Sequence, residues 1–375
     1  MSIRATLHQG NPGLRDDRPT AAPRRPLHRP LPPPRTGAKF QGRSVTAPAA
    51  QTSNAPLLQT RGLTKHFAIG GGLSRKTLHA VDDVDLVIQE REIVALVGES
   101  GSGKSTIARL LARVHRPTSG DIVFQGQPVS EMKGRTRELA YHRAVPMVFQ
   151  DPFSSLNPAY RVSHGITRGL RLHRPELSAS QRRAEAERVT EAVGLSPAAD
   201  VLDRFPHELS GGQRQRIGFA QALSYRPKLI VADEPVSMLD VSIRIGLLNV
   251  MARLRTDEGV SLLYITHDIA SARYISDRLV VMYAGHMVES GSTEQVLAAP
   301  AHPYTKLLLS AVPDPRAPLP TTIGADKGEP PRVIDPTPGC RFRHRCPLAI
   351  DLCATKEPAL RPTSGGQSAA CHRAE

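Results

Sequence analysis

The sequence predicts an α/β fold in which a largely parallel sheet is covered by helices on both faces. Residues 93–97 and 229–232 are short, wholly apolar runs, which are typical of strands buried on both faces of a sheet. Segments with strand character also alternate along the chain with segments of helical periodicity, the order expected when helices connect parallel strands. A glycine-rich turn at 98–105 joins the first apolar run to a helical stretch at 107–114, and this strand–turn–helix unit belongs to the same class of fold.

The other elements are assigned from periodicity and turn residues. Before the glycine-rich turn, residues 58–67 and 78–88 have strand character and are separated by a run of three glycines. After the turn, the sequence predicts strands at 121–124, 145–149 and 260–266, helices at 180–193, 214–224 and 241–254, and a closing hairpin at 279–283 and 286–289.

Composition divides the chain into three parts. Residues 1–56 are rich in Pro and Arg and poor in apolar side chains. They cannot bury enough surface to offset the entropy of ordering, so we expect a disordered tail; a transit peptide and a polybasic patch for anionic lipid are the alternatives. Residues 57–310 form the globular domain. In residues 311–375 a proline-rich linker leads to a small segment with all four cysteines, and we expect the linker to separate this segment from the glycine-rich turn.

The net charge of +14 does not by itself indicate a nucleic-acid partner. Nine Arg or Lys residues against two Asp residues lie in 1–56, so half of the excess charge belongs to the tail. No run approaches the roughly 18 apolar residues of a membrane span, and the N-terminus lacks the apolar stretch of a signal peptide. We therefore expect a soluble protein of the cytosol, or one held at a membrane by other subunits, without nucleic acid.

The glycine-rich turn has the pattern G-x-x-x-x-G-K-[ST] of a phosphate-binding loop, from Gly98 to Ser105. Glycines allow backbone N–H groups to converge on phosphate oxygens, and the start of the following helix contributes partial positive charge. Lys104 is expected to reach the β- and γ-phosphates, and the Ser105 hydroxyl to bind Mg²⁺. The alternative, a turn that binds nothing, does not account for all four fixed positions of the pattern.

Two further motifs complete a candidate phosphate site. Asp233 and Glu234 follow the apolar run 229–232, so they lie at the carboxyl edge of the sheet, where ligands bind in open α/β folds. Asp233 suits Mg²⁺ binding, and Glu234 is placed to polarise an attacking water. Ser210 can cap the helix that follows it, and the two glycines after Ser210 leave backbone N–H groups for a second phosphate contact.

These motifs, in their order and spacing, resemble those of ATP-binding-cassette (ABC) ATPases. LSGGQ at 209–213 is similar to the signature of that family, and Gln150 to its glutamine that senses Mg²⁺ and the γ-phosphate. His267 resembles its switch histidine, and Phe67 the aromatic residue that stacks on adenine. The resemblance implies that the following residues bind ATP: Phe67, Gly98, Ser100, Gly101, Ser102, Gly103, Lys104, Ser105, Thr106, Gln150, Ser210, Gly211, Gly212, Gln213 and Asp233.

The resemblance covers residues 57–297 and implies a P-loop NTPase fold. This fold is an ABC cassette with a RecA-like core, an antiparallel β subdomain and a helical subdomain at about 151–222, followed here by the small C-terminal cysteine-containing extension. The implied catalytic residues are Lys104, Gln150, Glu234 and His267, and the implied Mg²⁺ ligands are Ser105, Gln150 and Asp233. In this family the signature of one subunit completes the phosphate-binding loop of another, with two ATP molecules between them. Because this chain has one set of motifs, we expect it to pair with a second ATPase subunit, identical or homologous.

Two stretches narrow the resemblance to the ATPases of dipeptide, oligopeptide and nickel importers. Residues 150–158 resemble the segment after the sensor glutamine in those proteins, and residues 302–309 with the cysteine segment resemble their C-terminal region. The resemblance implies two transmembrane permease subunits and an extracytoplasmic substrate-binding protein as partners, with this chain at the cytoplasmic face of the cell membrane. The alternatives are a nickel or glutathione importer ATPase of the same subfamily, an exporter ATPase, and a soluble ABC ATPase of translation or DNA repair.

The four cysteines form a C-x₅-C-x₆-C-x₁₇-C pattern of Cys340, Cys346, Cys353 and Cys371. A reducing cytosol disfavours disulfides, and four thiolates can hold one metal group. Structural zinc sites usually contain C-x₂₋₄-C, which is absent. Some peptide-importer ATPases of this subfamily carry a [4Fe–4S] cluster at a similar pattern, so the resemblance implies an iron–sulfur site, with zinc and free thiols as the alternatives.

Overall fold

The structure, a computed structural model, describes residues 55–71, 76–151, 156–311 and 333–374. The predicted tail, apart from its last two residues, and most of the predicted linker lie outside the described residues. The strands are β1 Leu58–Ile69, β2 Lys76–Val84, β3 Val87–Ile88, β4 Ile93–Val97, β5 Ser119–Phe124, β6 Gln127–Pro128, β7 Met147–Val148, β8 Leu229–Asp233, β9 Ser261–Thr266, β10 Arg278–Tyr283, β11 His286–Ser292, β12 Arg361–Pro362 and β13 Ser368–Ala369. The helices are α1 Lys104–Leu111, α2 Arg135–Ala144, α3 Val162–His173, α4 Ala179–Ala192, α5 Ala198–Asp203, α6 Gly211–Ser224, α7 Val241–Thr256, α8 Ile269–Ile275, α9 Thr293–Ala298, α10 Pro303–Ser310 and α11 Leu352–Thr355.

The larger sheet has the strand order β12-β13-β11-β10-β4-β9-β8-β7, and its strands from β10 to β7 are parallel. β4, β8 and β9 are buried along their whole length, as their apolar runs predict. Side chains of β4 alternate between two apolar layers. Val97 lies in the layer that contains residues of α3, α4, α6 and α7, whereas Leu96 lies in the layer that contains residues of α1 and β1. The predicted α/β fold with both sheet faces covered is confirmed.

A second, antiparallel sheet has the order β2-β1-β5-β6, with β3 also paired to β1. The single strand predicted at 78–88 is two strands in the structure. Between them, the Thr60 hydroxyl donates to the Val84 carbonyl at 2.7 Å and accepts from the Leu86 N–H at 2.7 Å. Asp83 has a positive φ of 48°. These side-chain bonds replace part of the regular ladder and turn the chain toward the larger sheet.

Helices α3, α4, α5 and α6 pack against one another over one face of the larger sheet. A capping box starts α4, in which the Ser178 hydroxyl accepts from the Gln181 N–H and the Gln181 side chain bonds back to Ser178. In the described chain, α3 is the first helix after Gln150. None of the helices in the described part of the chain has the length and apolar character that a membrane span requires.

The cysteine segment packs on the domain, and Arg345 bonds Glu99 of the glycine-rich loop, so the expectation that the linker separates this segment from the glycine-rich turn was wrong. Residues 333–374 belong to the same compact unit as the cassette, and β13 pairs with β11 at the edge of the larger sheet. Phe342 is 2% exposed and contacts the rings of Tyr283 and Tyr304. The Gln367 amide donates to the buried Glu289 carboxylate at 3.0 Å. Linker composition could not reveal these contacts, because they are made by residues that follow the linker.

Candidate functional site

Four loops meet at the carboxyl edge of the larger sheet. β4 leads into the glycine-rich loop 98–103, β8 ends at Asp233, β9 leads to His267, and β7 leads to Gln150. Parallel strands present their carboxyl ends at one edge, which is where ligands bind in open α/β sheets. The topology therefore brings together residues that are far apart in sequence.

The glycine-rich loop fits tightly between neighbouring strands. A Cβ at Gly98 would lie 2.2 Å from the Met282 carbonyl oxygen of β10. A Cβ at Gly103 would lie 2.3 Å from the Ala80 carbonyl oxygen of β2, and Gly103 has a φ of +104°. Only glycine suits these two positions. The loop is thereby fixed where α1 begins, with the N–H groups of the first turn at the sheet edge.

The Lys104 side chain lies inside this loop and is 4% exposed. Its Nζ donates to the Gly98 and Glu99 carbonyl oxygens, each at 2.8 Å. Burial lowers the pKa of Lys104, while the carboxylates of Glu234, Asp233 and Glu99 oppose that shift. The loop thus holds a single ammonium group at its centre, among acidic side chains.

Ser105 and Asp233 form the second contact of the site. The Ser105 hydroxyl donates to Asp233 Oδ1 at 3.0 Å. Burial raises the pKa of Asp233, and the hydrogen bond from Ser105 opposes this shift. A hydroxyl and a carboxylate in contact provide the hard oxygen ligands that Mg²⁺ prefers.

Three of the predicted catalytic residues, Gln150, Glu234 and His267, lie together at the Glu234 carboxylate. Its Oε2 lies 3.3 Å from Gln150 Nε2 and 3.4 Å from His267 Nδ1. Glu234 has a positive φ of 46°, and its N–H donates to the Ile265 carbonyl of β9 at 3.0 Å. A left-handed conformation in a residue other than glycine stores strain, which concentrates at functional sites. Here it turns the carboxylate from the end of β8 toward the neighbouring loops.

Two side chains that support this cluster were not assigned a role from the sequence. Ser237 Oγ lies 3.3 Å from Gln150 Nε2 and donates to the Glu234 carbonyl at 2.9 Å. Asp268 caps α8 and accepts from Arg244 Nη1 at 3.1 Å, which holds the loop that carries His267. An Asp directly before a helix is a recognisable cap signal, but nothing in the sequence indicates that Arg244 would reach it.

The remaining loop residues differ in exposure. Ser102 is 1% exposed, whereas Ser100 and Gly101 are exposed at the tip of the loop. Ser105 and Thr106 are half-buried in the first turn of α1. The exposed tip and the buried base are compatible with a ligand that lies over the loop from the solvent side.

The signature turn caps α6. The Ser210 hydroxyl accepts from the Gln213 N–H at 3.3 Å, and the Ser210 N–H donates to the Gln213 side chain at 3.0 Å. Ser210 is exposed, while Gly212 is buried and a Cβ there would lie 2.3 Å from Ile243 Cγ2. The hydrogen bonds that the described chain gives Ser210 lie within this first turn. The turn is therefore a well-formed helix start that faces solvent, with Gly211 half-buried beside Ser210.

Phe67 lies near the end of β1. Its ring meets His115 edge to face at 5.5 Å, and Lys65 Nζ lies 5.0 Å from the ring centroid. The ring is half-buried, so part of it is accessible.

Comparison with known proteins places these motifs in a family. A family model described as ABC transporter matches residues 81–237, and one described as oligopeptide/dipeptide transporter, C-terminal region, matches residues 288–353. The oligopeptide transport ATP-binding protein OppF of Escherichia coli is 43% identical over 311 residues, which cover 81% of this chain and 92% of OppF. YkfD of Bacillus subtilis is 42% identical over 319 residues, which cover 84% of this chain and 95% of YkfD.

A solved structure agrees with these matches. The ATP-binding cassette MJ0796, a dimer in a post-hydrolysis state with ADP and phosphate, aligns with a TM-score of 0.56 at 25% identity. The alignment covers 63% of this chain and 98% of MJ0796. The resemblance seen in the sequence is confirmed, and with it the P-loop NTPase fold and the ability to hydrolyse ATP. The chain belongs to the ABC transporter family, in the group whose ATP-binding proteins carry the oligopeptide/dipeptide transporter C-terminal region.

Proposed function

We propose that ATP hydrolysis by this chain powers the uptake of peptides through partner membrane subunits. The observation that carries the catalytic part is the meeting of Gln150, Glu234 and His267 at one carboxylate oxygen, at the sheet edge that also carries Lys104. The support for peptides as the substrate class is the match to the oligopeptide/dipeptide transporter C-terminal region and the printed names of the relatives.

The arrangement supports in-line attack of water on the γ-phosphate. Glu234 accepts a hydrogen bond from that water and polarises it, and the Gln150 and His267 contacts orient the carboxylate. Lys104 and His267 offset the charge that develops on the phosphate oxygens. The hydroxyl of Ser105, the carboxylate of Asp233 and the amide of Gln150 suit Mg²⁺, which would neutralise the β- and γ-phosphates when bound.

The rest of the ATP site comes from Phe67 and from a second ATPase subunit. The accessible part of the Phe67 ring suits stacking on adenine. The exposed start of α6 offers Ser210 and the glycine N–H groups to the phosphates of a partner's ATP. Next to it, Met238 and Val241 are 66% and 70% exposed, large apolar side chains that a partner subunit would cover.

A groove beside the Gln150 loop suits the permease subunits. It is lined by Leu156, Tyr160, Arg168, Leu172 and Tyr225, among others. Tyr160 and Leu172 are 48% and 51% exposed. Grooves between helices receive amphipathic partner helices, and this groove offers both apolar and polar side chains, so we propose that a permease segment binds here.

The four cysteines suit a metal group. The Leu348 and Arg373 N–H groups donate to the sulfurs of Cys346 and Cys371, each at 3.4 Å, as they do around bound thiolates. Burial and the neighbouring cysteines raise the pKa of Cys340 to about 11, which disfavours its thiolate when no metal is bound. Bound cationic iron or zinc would stabilise that thiolate. In the described residues the group of ligands clustered within 4.8 Å is His66, His79 and Asp82, without cysteines. The iron–sulfur proposal therefore follows from the resemblance of the C-x₅-C-x₆-C-x₁₇-C spacing, with zinc and free thiols as the alternatives.

Anaerobic purification with iron, sulfide and zinc assays and a visible spectrum tests this site. We expect iron and sulfide in stoichiometric amounts, and their loss in Cys346→Ser. Stoichiometric zinc without iron would contradict the iron–sulfur proposal, as would a protein without metal.

Glu234→Gln and Lys104→Ala separate hydrolysis from binding. Glu234→Gln should retain ATP binding but lose nearly all turnover, because an amide cannot polarise the water. Lys104→Ala should weaken ATP binding itself, because it removes the ammonium from the loop. Steady-state ATPase and equilibrium binding of ATP are measured for both, and turnover at the wild-type rate in Glu234→Gln would remove Glu234 from its role.

Transport is tested in cells that lack this chain and are complemented with the wild type or with Glu234→Gln. We expect uptake of a labelled oligopeptide with the wild type and none with the variant. Peptide uptake that is equal in both, or nickel uptake in place of peptide uptake, would contradict the proposed substrate class.

A further inference from the structure

Glu99, the second residue of the glycine-rich loop, has all of its polar groups engaged. Its carboxylate accepts two hydrogen bonds from the Arg345 guanidinium, at 2.8 and 3.0 Å. Its N–H donates to the Tyr304 hydroxyl at 2.8 Å, and its carbonyl accepts from Lys104 Nζ at 2.8 Å. Two residues of the C-terminal region, Arg345 and Tyr304, thus fix the loop from outside.

The Arg345 side chain is held in place before it meets Glu99. It is 12% exposed, and its guanidinium lies 5.7 Å from the ring centroid of Tyr283 and 6.0 Å from that of Phe342. A planar guanidinium on aromatic faces loses little further freedom when it forms a two-point contact with a carboxylate. The pair therefore differs from an exposed ion pair, which contributes little because its side chains are mobile and solvated.

The pair also controls charge at the phosphate site. Glu99 is one of the carboxylates that act on Lys104. Without Arg345, its negative charge would repel the phosphates and compete for the Lys104 ammonium. With Arg345, that charge is compensated inside the protein, and Lys104 remains available to phosphate.

We propose that Arg345 is a positioning residue of the ATP site: it holds Glu99, and through Glu99 the glycine-rich loop and Lys104, so that ATP affinity depends on the C-terminal segment. The proposal rests on the ATP site proposed above. Arg345 directly precedes Cys346, so a change in the cysteine segment reaches the ATP site through this ion pair.

The test is a double-mutant cycle in the full chain with Arg345→Gln, Glu99→Gln and the double variant, read as the Kd and KM for ATP and as kcat. Arg345→Gln should raise Kd and KM roughly tenfold, a typical coupling between sites, with a smaller change in kcat. In the Glu99→Gln background, Arg345→Gln should have almost no further effect, because the charge it compensates is gone. The matched control is Arg343→Gln: Arg343 lies in the same segment but bonds Pro338 and Thr337, so ATP binding should be unchanged.

Two results would overturn the proposal: an unchanged Kd in Arg345→Gln, or the same increase in Kd in both backgrounds. Thermal melts identify a variant that does not fold. If Arg345→Gln does not fold, Arg345→Lys replaces it in the cycle. Arg345→Lys should raise KM for ATP by a smaller factor, and in the Glu99→Gln background it should not raise KM at all. Lys104→Ala, measured alongside, separates the two proposals. Normal ATP binding in Lys104→Ala would contradict the proposed ATP site. Impaired ATP binding in Lys104→Ala together with normal ATP binding in Arg345→Gln would contradict only the role of Arg345.

Discussion

The buried histidine before α10 makes the fold sensitive to acid. His302 is 2% exposed, and its Nδ1 accepts a hydrogen bond from the Tyr304 N–H at 3.0 Å, which requires an unprotonated Nδ1. Burial lowers the pKa of His302 to about 4, from 6.5 in an exposed histidine. Between these pH values the unfolded chain binds more protons than the folded chain, so the free energy of unfolding decreases as the pH falls from 6.5 toward 4.

His302→Asn tests this at the level of one side chain. Asn retains a cap acceptor for the Tyr304 N–H but does not titrate. From pH 7.5 to pH 5 we expect the wild type to lose about 2 kcal/mol more stability than the variant. Urea unfolding of both proteins at the two pH values measures this difference, and identical pH dependence in the two would contradict it.

The sequence predicts the positions of some residues of the proposed ATP site but not of others. Asp233, Glu234 and His267 each follow an apolar strand, and the parallel sheet places all such residues at one edge. Glu99 and Arg345 have no comparable signal. Glu99 fills a variable position of the glycine-rich pattern, and its partner lies 246 residues away in the chain, so only the tertiary structure brings them together.

At the level of elements, substitutions of Ser210 can separate the stability of helix α6 from its proposed contact with phosphate. Ser210 caps the helix, and in the proposed dimer it also contacts phosphate. Ser210→Ala should lower stability by about 1 kcal/mol through loss of the cap. Ser210→Asp should retain stability, because a carboxylate caps the helix equally well and suits its N-terminal dipole.

The same Asp variant should nevertheless lose ATPase activity, since its negative charge would repel the partner's γ-phosphate. Chemical denaturation and steady-state ATPase of the two variants are compared. A stable Ser210→Asp protein with wild-type turnover would exclude the signature turn from the ATP site.

Elements also show where sequence patterns are sufficient. Strands β4, β8 and β9 were predicted because strands buried on both faces need continuous apolar runs. Helix α5, with six residues, is too short to show a period. Helix α3 was missed although a signal was present: its buried residues Val162, Ile166 and Leu170 recur every four positions.

For the whole molecule, the C-terminal segment joins the cassette at several separate places. β13 extends the larger sheet, Gln367 reaches Glu289, and Arg341 bonds both Asp82 and the Ala284 carbonyl. The guanidinium of Arg341 and the nearby histidines hold the pKa of Asp82 well below its usual range, although burial opposes this shift. Composition indicates where the linker and the cysteines lie, but the segment has too few residues for its packing partners to be inferred from its sequence.

This packing predicts that the segment unfolds together with the cassette. Phe342 is 2% exposed and lies 5.2 Å from Tyr283 and 5.5 Å from Tyr304, measured between ring centroids. Phe342→Ala should lower the free energy of unfolding by about 3–4 kcal/mol, the cost of a cavity left by a buried ring. Leu348, in the same segment and 42% exposed, provides the matched control, and Leu348→Ala should change stability by less than about 0.5 kcal/mol.

Denaturant unfolding followed by two probes distinguishes a shared transition from separate ones. Far-UV circular dichroism reports on the cassette, and the reactivity of the cysteine thiols, measured in protein prepared without metal, reports on the segment. The two probes should give one midpoint, shifted to lower denaturant in Phe342→Ala. An early transition seen only by the thiols, with the cassette midpoint unchanged, would show instead that the segment unfolds as a separate unit. The contact between Arg345 and Glu99 of the glycine-rich loop would then be lost before the cassette unfolds.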